Sequence, residues 1–295
     1  MKIVITGATG LLGRAVLREL KRVDGFDAVG TGFSRAIDDI AYLDLRDGES
    51  VRDFIATQQP QAIIHSAAER RPDISENDPD ATRALNVQAT QTVADAARSV
   101  GSWVIYISTD YVFDGTSPPY TPDAQPNPLN FYGRSKLEGE EVIRESGKHC
   151  ILRVPVLYGP SPSFDESPIT LLGRMLIEGE KATVDHWATR YPTLTTDVAV
   201  VCRQLLEHKQ SHPDFAGTFH WSGDEAMTKF DIARVTSESF GLSADGLTPD
   251  PEAPAGAPRP KNSQLDCSTL EGLGIGRRTP FQQAIIEVLK PFLSW

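Results

Sequence analysis

The sequence predicts an α/β fold in which a doubly wound parallel sheet carries helices on both faces. Two observations support this prediction. The apolar run Ile3-Val4-Ile5 is typical of a buried parallel strand, and glycines and then a helical pattern follow it directly. Strand and helix signals then alternate through the first half of the chain, which is the pattern of a parallel sheet.

Three glycines separate the first strand from the first helix. Gly7 permits a tight turn, Gly10 lets backbone approach a pyrophosphate, and Gly13 lets the helix pack close to the strand. Thr9, Leu11 and Leu12 complete this loop. The helix start offers unpaired N–H groups to phosphate, so a Rossmann-type dinucleotide site is predicted. An ordinary glycine turn remains the alternative.

The other elements follow in order. We predict further strands at 27–33, 40–43, 61–66, 103–108, 150–155 and 217–221, helices at 49–58, 79–100, 131–144, 169–177, 196–208, 227–240 and 279–293, and an exposed loop at 242–260. Residues 1–160 are expected to form the nucleotide-binding domain. Residues 161–295 are expected to form a smaller C-terminal lobe, with some segments returning to the sheet.

Composition excludes several classes of function. The net charge of −11 disfavours a general binder of nucleic acid or of anionic membranes. Three separated cysteines show no metal-ligand spacing and fit a reducing compartment, so no metal is expected. No apolar run approaches the ~20 residues that span a bilayer. Met1 leads directly into the first strand, so we expect no targeting peptide and a cytoplasmic protein, with the nucleus as a further location.

The end of the second predicted strand indicates which cofactor is preferred. NAD-binding folds usually place an acidic residue about 20 residues after the glycines. Here that place holds Phe33-Ser34-Arg35. Arg35 is suited to pair with a 2′-phosphate, and Ser34 to donate a hydrogen bond to it. NADP(H) is therefore predicted over NAD(H), with a solvated surface arginine as the alternative for Arg35.

A candidate catalytic group follows the fifth strand. Tyr132 and Lys136 are one helical turn apart and share a face, so Lys136 is expected to lower the pKa of Tyr132. Thr109 follows the end of a strand, where ligands of open α/β sheets bind. Two hydroxyl groups would grip one carbonyl oxygen, and Tyr132 would donate the proton. By contrast His65, flanked by apolar residues, is predicted to be a core histidine.

These motifs together resemble the extended short-chain dehydrogenase/reductases. The segments 108–115 and 128–136 resemble dTDP-4-dehydrorhamnose reductases, and matches at 7–16, 67–73, 185–193, 217–223, 227–229 and 264–276 resemble more closely the regulatory (β) subunits of methionine adenosyltransferase. That family binds NADP and associates with the catalytic subunit that makes S-adenosylmethionine. The resemblance implies an NADP site lined by Thr9 to Leu12, Phe33 to Arg35, Asp44, Leu45, Ser66, Ala67, Arg70, Tyr132, Lys136 and Leu157.

Two departures from the sugar-nucleotide reductases favour the regulatory interpretation. The chain has Arg70-Arg71-Pro72-Asp73 where those enzymes carry Thr-x-Val-Asp, and its segment 185–193 is longer and bulkier than theirs. Both lie where the sugar would bind. The expected partner is a methionine adenosyltransferase catalytic subunit, docked on the second lobe and C-terminal end. Vertebrate β subunits add a polar docking tail that we expect this chain, ending at Trp295, to lack. An NADPH-dependent reductase of a 4-keto-6-deoxy-sugar nucleotide is the first alternative, and a nucleotide sensor that binds NADP without either role is the second.

Two further points stay open. Arg70 and Arg71 are equally suited to bind phosphate or to form a salt-bridged loop. Arg259 and Asp266 would contact a substrate pyrophosphate in an enzyme, but in a non-enzyme they would hold the lobe in place, which is the preferred interpretation.

Overall fold

A computed structural model describes residues 1–34 and 39–293. Among these residues, seven parallel strands form one sheet: β1 (Lys2–Thr6), β2 (Asp27–Gly32), β3 (Ile40–Tyr42), β4 (Ala62–His65), β5 (Trp103–Thr109), β6 (Cys150–Val154) and β10 (Gly217–His220). Their order in the sheet is β10-β6-β5-β4-β1-β2-β3. The strand order reverses between β1 and β4, which is where open α/β sheets bind ligands. The predicted fold class is confirmed.

Helices cover both faces of this sheet. They are α1 (Leu11–Lys21), α2 (Gly48–Gln58), α3 (Pro72–Asn77), α4 (Pro79–Arg83), α5 (Ala89–Val100), α6 (Phe131–Ser146), α7 (Pro168–Glu178), α8 (Thr195–Ser211), α9 (Lys229–Phe240), α10 (Ser268–Gly272) and α11 (Phe281–Leu289). One face buries Val16 of α1 and Leu205 of α8, and the other buries Ile55 of α2 and Val93 of α5. The strands are apolar on both sides because both faces are covered.

The second half of the chain contributes to the main sheet and also builds a separate core. Strand β10 pairs with β6, and α8 packs in the same cluster as α1. Short strands β7 (Leu157–Tyr158), β8 (Ala182–Asp185), β9 (Thr193–Leu194) and β11 (Leu247–Asp250) form two small parallel pairs. Helices α7, α9 and α11 bury a third cluster around Phe281 and Ile285. The boundary predicted at residue 160 stays a prediction.

Two local predictions are corrected, and one short helix is new. The segment 242–260 is not wholly loop, because β11 pairs with β8 there. The polar stretch after Arg71, for which no element was predicted, forms helix α3, with Pro72 in its first turn. The long helix predicted from Pro79 contains a π-helical turn, Ala84–Gln88. Among the described residues, no helix is long and apolar enough to cross a membrane.

Candidate active site

The glycine loop joins β1 to α1 and has the shape that a dinucleotide cradle needs. Gly7 adopts a φ of +69°, and a Cβ added there would lie 2.9 Å from the Ala67 backbone. A Cβ on Gly13 would lie 2.2 Å from the Gly7 carbonyl oxygen. Side chains are therefore excluded at both positions, as predicted from the sequence. Gly10 is the N-cap of helix α1, which has no side-chain cap and no acidic residue in its first turn.

The loop is held by contacts on both sides. The Ser66 hydroxyl donates to the Thr6 carbonyl at 2.7 Å, so this side chain fixes the ends of β1 and β4. Ala67 lies against Gly7, and Leu157 packs against the core beside α1. The Arg14 guanidinium donates to the Thr9 carbonyl and forms an ion pair with Glu166. The structure thus brings together the predicted residues from three separate segments.

The predicted adenine side of the site presents an exposed aromatic surface. Phe33 is 44% exposed, and the guanidinium of Arg46 lies 4.9 Å from its ring centroid. Asp44 accepts two hydrogen bonds from Arg46, at 2.9 and 2.8 Å. Leu45 is buried in the core. Ser34 is exposed next to Phe33, whereas Arg35 lies outside the described residues.

The two arginines after β4 differ. Arg71 pairs with Glu69 through two hydrogen bonds of 2.9 and 2.7 Å, so it belongs to a salt-bridged loop. Arg70 is exposed, and within residues 1–34 and 39–293 its side chain forms no hydrogen bond or ion pair. It lies within electrostatic range of Tyr132 and Glu166. Arg70 is thus available to an anionic ligand, while Arg71 is not.

Thr109 and Tyr132 are brought together, as predicted. Thr109 ends β5, and its hydroxyl oxygen accepts from the Tyr111 backbone N–H at 3.2 Å. Burial raises the pKa of the Tyr132 phenol, and the neighbouring Thr109 side chain partly opposes that shift. The Tyr111 ring meets Tyr132 edge-on at 5.8 Å. The α6 N-cap, Asn130, accepts from the Gly133 backbone N–H at 2.8 Å and fixes where this helix begins.

The predicted effect of Lys136 on Tyr132 is corrected. The Tyr132 pKa moves up, because burial of the phenol outweighs the opposing contact with Thr109. The Lys136 Nζ instead lies 3.9 Å from the ring centroid of Tyr106. Burial lowers the pKa of Lys136 to about 7, although Glu140 opposes this. The ammonium is therefore only partly charged near neutral pH, which weakens any influence on the phenol.

Two buried polar networks support α6 and β4. Glu140 accepts from Arg153 at 2.8 and 2.7 Å and from the Ser108 hydroxyl at 2.5 Å. His65 bonds Thr6 and Thr90 at 2.7 and 2.9 Å, and burial lowers its pKa to about 3. His65 is therefore a neutral core histidine, as predicted.

Asn86 connects helix α6 to the loop that carries Arg70 and Arg71. Its amide accepts from the Glu69 backbone N–H at 2.8 Å and donates to the Glu69 carbonyl at 2.9 Å and to the Ser135 hydroxyl at 3.0 Å. Ser135 in turn donates to the Tyr132 carbonyl at 2.8 Å. Asn86 therefore sets the Arg70 loop relative to the phenol.

Sequence reasoning missed several residues around the site. Arg14 was visible as a cation directly after Gly13, but nothing near it in the sequence indicated Glu166, 152 positions away. Glu140 could have been found from its spacing, because it lies one helical turn after Lys136. Arg259 pairs with Asp73 and donates to the Ala257 carbonyl at 2.9 Å, in line with the preferred interpretation that it holds the lobe.

A glycine loop after β1, together with a Thr-Tyr-Lys group that follows β5 at the same carboxyl edge of a parallel sheet, defines an extended short-chain dehydrogenase/reductase. A family model, RmlD substrate binding domain, matches residues 1–294, and the chain belongs to that family. It is 49% identical to methionine adenosyltransferase 2 subunit beta of Bos taurus over 99% of this chain and 88% of that protein. It is 29% identical to dTDP-4-dehydrorhamnose reductase of Escherichia coli over 92% of this chain and 91% of that one. The resemblance inferred from the motifs is confirmed.

Solved structures of related proteins have the same fold. A dTDP-4-dehydrorhamnose reductase from Bacillus anthracis, in complex with NADP, superposes with a TM-score of 0.86 at 28% identity, covering 98% of this chain and 99% of that one. A UDP-glucose 4-epimerase from Thermotoga maritima superposes with a TM-score of 0.85 at 20% identity, over 99% and 98% of the two chains. The second likeness shows the fold alone.

Proposed function

We propose that this protein binds NADP(H) and acts as the regulatory (β) subunit of a methionine adenosyltransferase. The observation that carries the proposal is the similarity to methionine adenosyltransferase 2 subunit beta, which is 49% identity over nearly the whole chain. The identity with the reductase is 29%. The partner would be a methionine adenosyltransferase catalytic subunit, in the cytoplasm or the nucleus.

The residues present fit NADP(H). The cradle excludes side chains at Gly7 and Gly13, which leaves room for a pyrophosphate against the start of α1. We propose that the nucleotide lies along the loop from Gly7 to Gly13, the aromatic surface at Phe33, and Arg70. Ser34, Arg35, Asp44, Leu45, Ser66, Ala67 and Leu157 would complete the adenosine and pyrophosphate side, and Tyr132 and Lys136 the nicotinamide side.

Complex formation tests the regulatory role. The purified protein and a methionine adenosyltransferase catalytic subunit are mixed at micromolar concentration and separated by size exclusion. We expect one co-eluting complex, together with a change in the rate of S-adenosylmethionine synthesis. Separate elution, with synthesis unchanged, would contradict the proposal.

A second candidate function is reduction of a 4-keto-6-deoxy-sugar nucleotide. The specific observation in its favour is that Thr109 and Tyr132 adjoin each other and Lys136 lies one turn along α6. Bound NADPH would supply a hydride to the keto carbon. The chain's own part would be to hold the carbonyl oxygen between two hydroxyl groups and to donate the Tyr132 proton. The raised pKa of Tyr132 keeps that phenol protonated.

Oxidation of NADPH tests this alternative. The protein is incubated with NADPH and candidate keto-sugar nucleotides, and the absorbance of the reduced cofactor is followed. Tyr132→Phe is the matched control because it removes only the phenolic oxygen. Turnover equal to that of Tyr132→Phe would exclude the reductase.

A further inference from the structure

Glu166 binds the glycine loop from a distant part of the chain. It ends a 3-10 turn, Phe164–Glu166, just before α7, and it is 8% exposed. The Arg14 guanidinium donates to both of its carboxylate oxygens, one at 3.2 Å. The same guanidinium donates to the Thr9 carbonyl inside the loop. Glu166 thus contacts the cation that holds the cradle.

The surroundings of Glu166 are those of an anion site. Helix α1 begins with no side-chain cap and no acidic residue in its first turn, so its positive end is not neutralised by its own sequence. Arg70 lies within electrostatic range of Glu166 and has no ion pair in the described part of the chain. Two guanidinium groups therefore act on one buried carboxylate, Arg14 by direct hydrogen bonds and Arg70 at longer range.

Carboxylate and phosphate bind a guanidinium in the same way, through two parallel N–H···O bonds. We propose that Glu166 is a resident anion of the cradle, which a cofactor phosphate replaces on Arg14. This proposal rests on the proposed binding of NADP(H). It assigns Glu166 a part in setting cofactor affinity, since every binding event must first break the pair with Arg14.

The exchange would reach beyond the cradle, because the turn that carries Glu166 is tied to two other elements. The next residue, Ser167, donates to the Leu157 carbonyl at 2.7 Å and caps α7. Phe164 stacks on Phe292, after α11, with ring centroids 4.1 Å apart. Release of Glu166 would therefore loosen the start of α7 and the Phe292 contact.

Calorimetric titration with NADP and with NADPH tests the exchange. We expect Glu166→Gln to bind roughly three- to tenfold more tightly than the wild type, since Arg14 then lacks its charged partner until the cofactor arrives. Asp165→Asn is the matched control. Asp165 is in the same turn but pairs with Arg174 at the surface. The affinity of Asp165→Asn for the cofactor should therefore stay within about twofold of the wild-type value.

Hydrogen exchange of the wild type gives a second test that needs no variant. Saturating NADP should increase exchange over residues 164–170 and at 292. Affinity that is unchanged or weaker in Glu166→Gln would overturn the proposal, and so would protection of 164–170 on binding. A wild-type protein that binds neither NADP nor NADPH would instead overturn the proposed function.

Discussion

Two buried charges, one turn apart on the same face of helix α6, are held in opposite ways. Glu140 is fully buried and accepts from Arg153, Ser108 and Arg144. Lys136 lies one turn earlier, is 3% exposed, and rests on the Tyr106 ring. The carboxylate has three partners, whereas the ammonium makes no ion pair within residues 1–34 and 39–293.

This difference distinguishes a structural charge, Glu140, from a charge that is a candidate for binding or catalysis, Lys136. A buried charge that is fully paired holds elements together, and losing one partner leaves it uncompensated. A buried charge without an ion pair costs stability and persists where it serves binding or catalysis. The Glu140 cluster joins α6 to β5 and β6, whereas Lys136 is one of the residues predicted to bind the cofactor.

The largest expected effect comes from breaking the paired cluster. Arg153→Met should lower the free energy of unfolding by about 3–5 kcal/mol, because the Glu140 carboxylate would then remain buried without its main partner. Urea denaturation measures it. Arg144→Met is the control, since that side chain is 43% exposed, and it should cost under ~1 kcal/mol. Equal losses in the two variants would contradict the stronger role of the buried arginine.

The unpaired charge should behave in the opposite way. Lys136→Met should stabilise the protein by about 1–3 kcal/mol at pH 7, since it removes a buried ammonium. The same variant should lose NADP(H) binding or any turnover. Chemical unfolding and cofactor titration on one sample check both effects, and a destabilised variant would show that Lys136 is structural.

The pH dependence of this gain has a definite sign. The folded pKa of Lys136 is about 7, below its ordinary 10.5, so folding disfavours the charged form. The penalty is complete below pH 7 and disappears as the pH rises through 7 to 10.5, where the unfolded chain also loses its proton. The stabilisation by Lys136→Met should therefore shrink over that window. A gain that stays constant between pH 7 and 10 would rule out this origin.

The sequence predicted those elements whose formation depends on residues that are neighbours in the chain. The buried strands from β1 to β6 are apolar runs, and the glycines that the loop requires stand within residues 7 to 13. Strands β8 and β11 were missed because each is short and acquires its pairing only from the other, more than 60 residues away. The hydrophobic periodicity of the π-helical turn at 84–88 does not differ from that of an α-helix, so the sequence could not indicate it.

The site divides in the same way. Tyr132, Lys136 and Thr109 could be found from spacing and from their place after a strand. The direction of the Tyr132 pKa could not, because it depends on burial that only the folded chain creates. The Arg14–Glu166 pair joins residues whose contact depends on where α7 packs.

The smallest expected effect is a difference in cofactor affinity between variants of two arginines in one loop. Arg70 and Arg71 are adjacent, but only Arg71 pairs with Glu69. Arg70→Ala should weaken NADP(H) binding by about 1 kcal/mol, or roughly fivefold, through loss of a charge-assisted hydrogen bond to phosphate. Arg71→Ala should change the affinity by less than about twofold, because its charge is already neutralised. Titration of both variants at two ionic strengths measures this, with a stronger salt dependence expected where Arg70 is intact. Equal losses would mean that both arginines hold the loop and that neither contacts the cofactor.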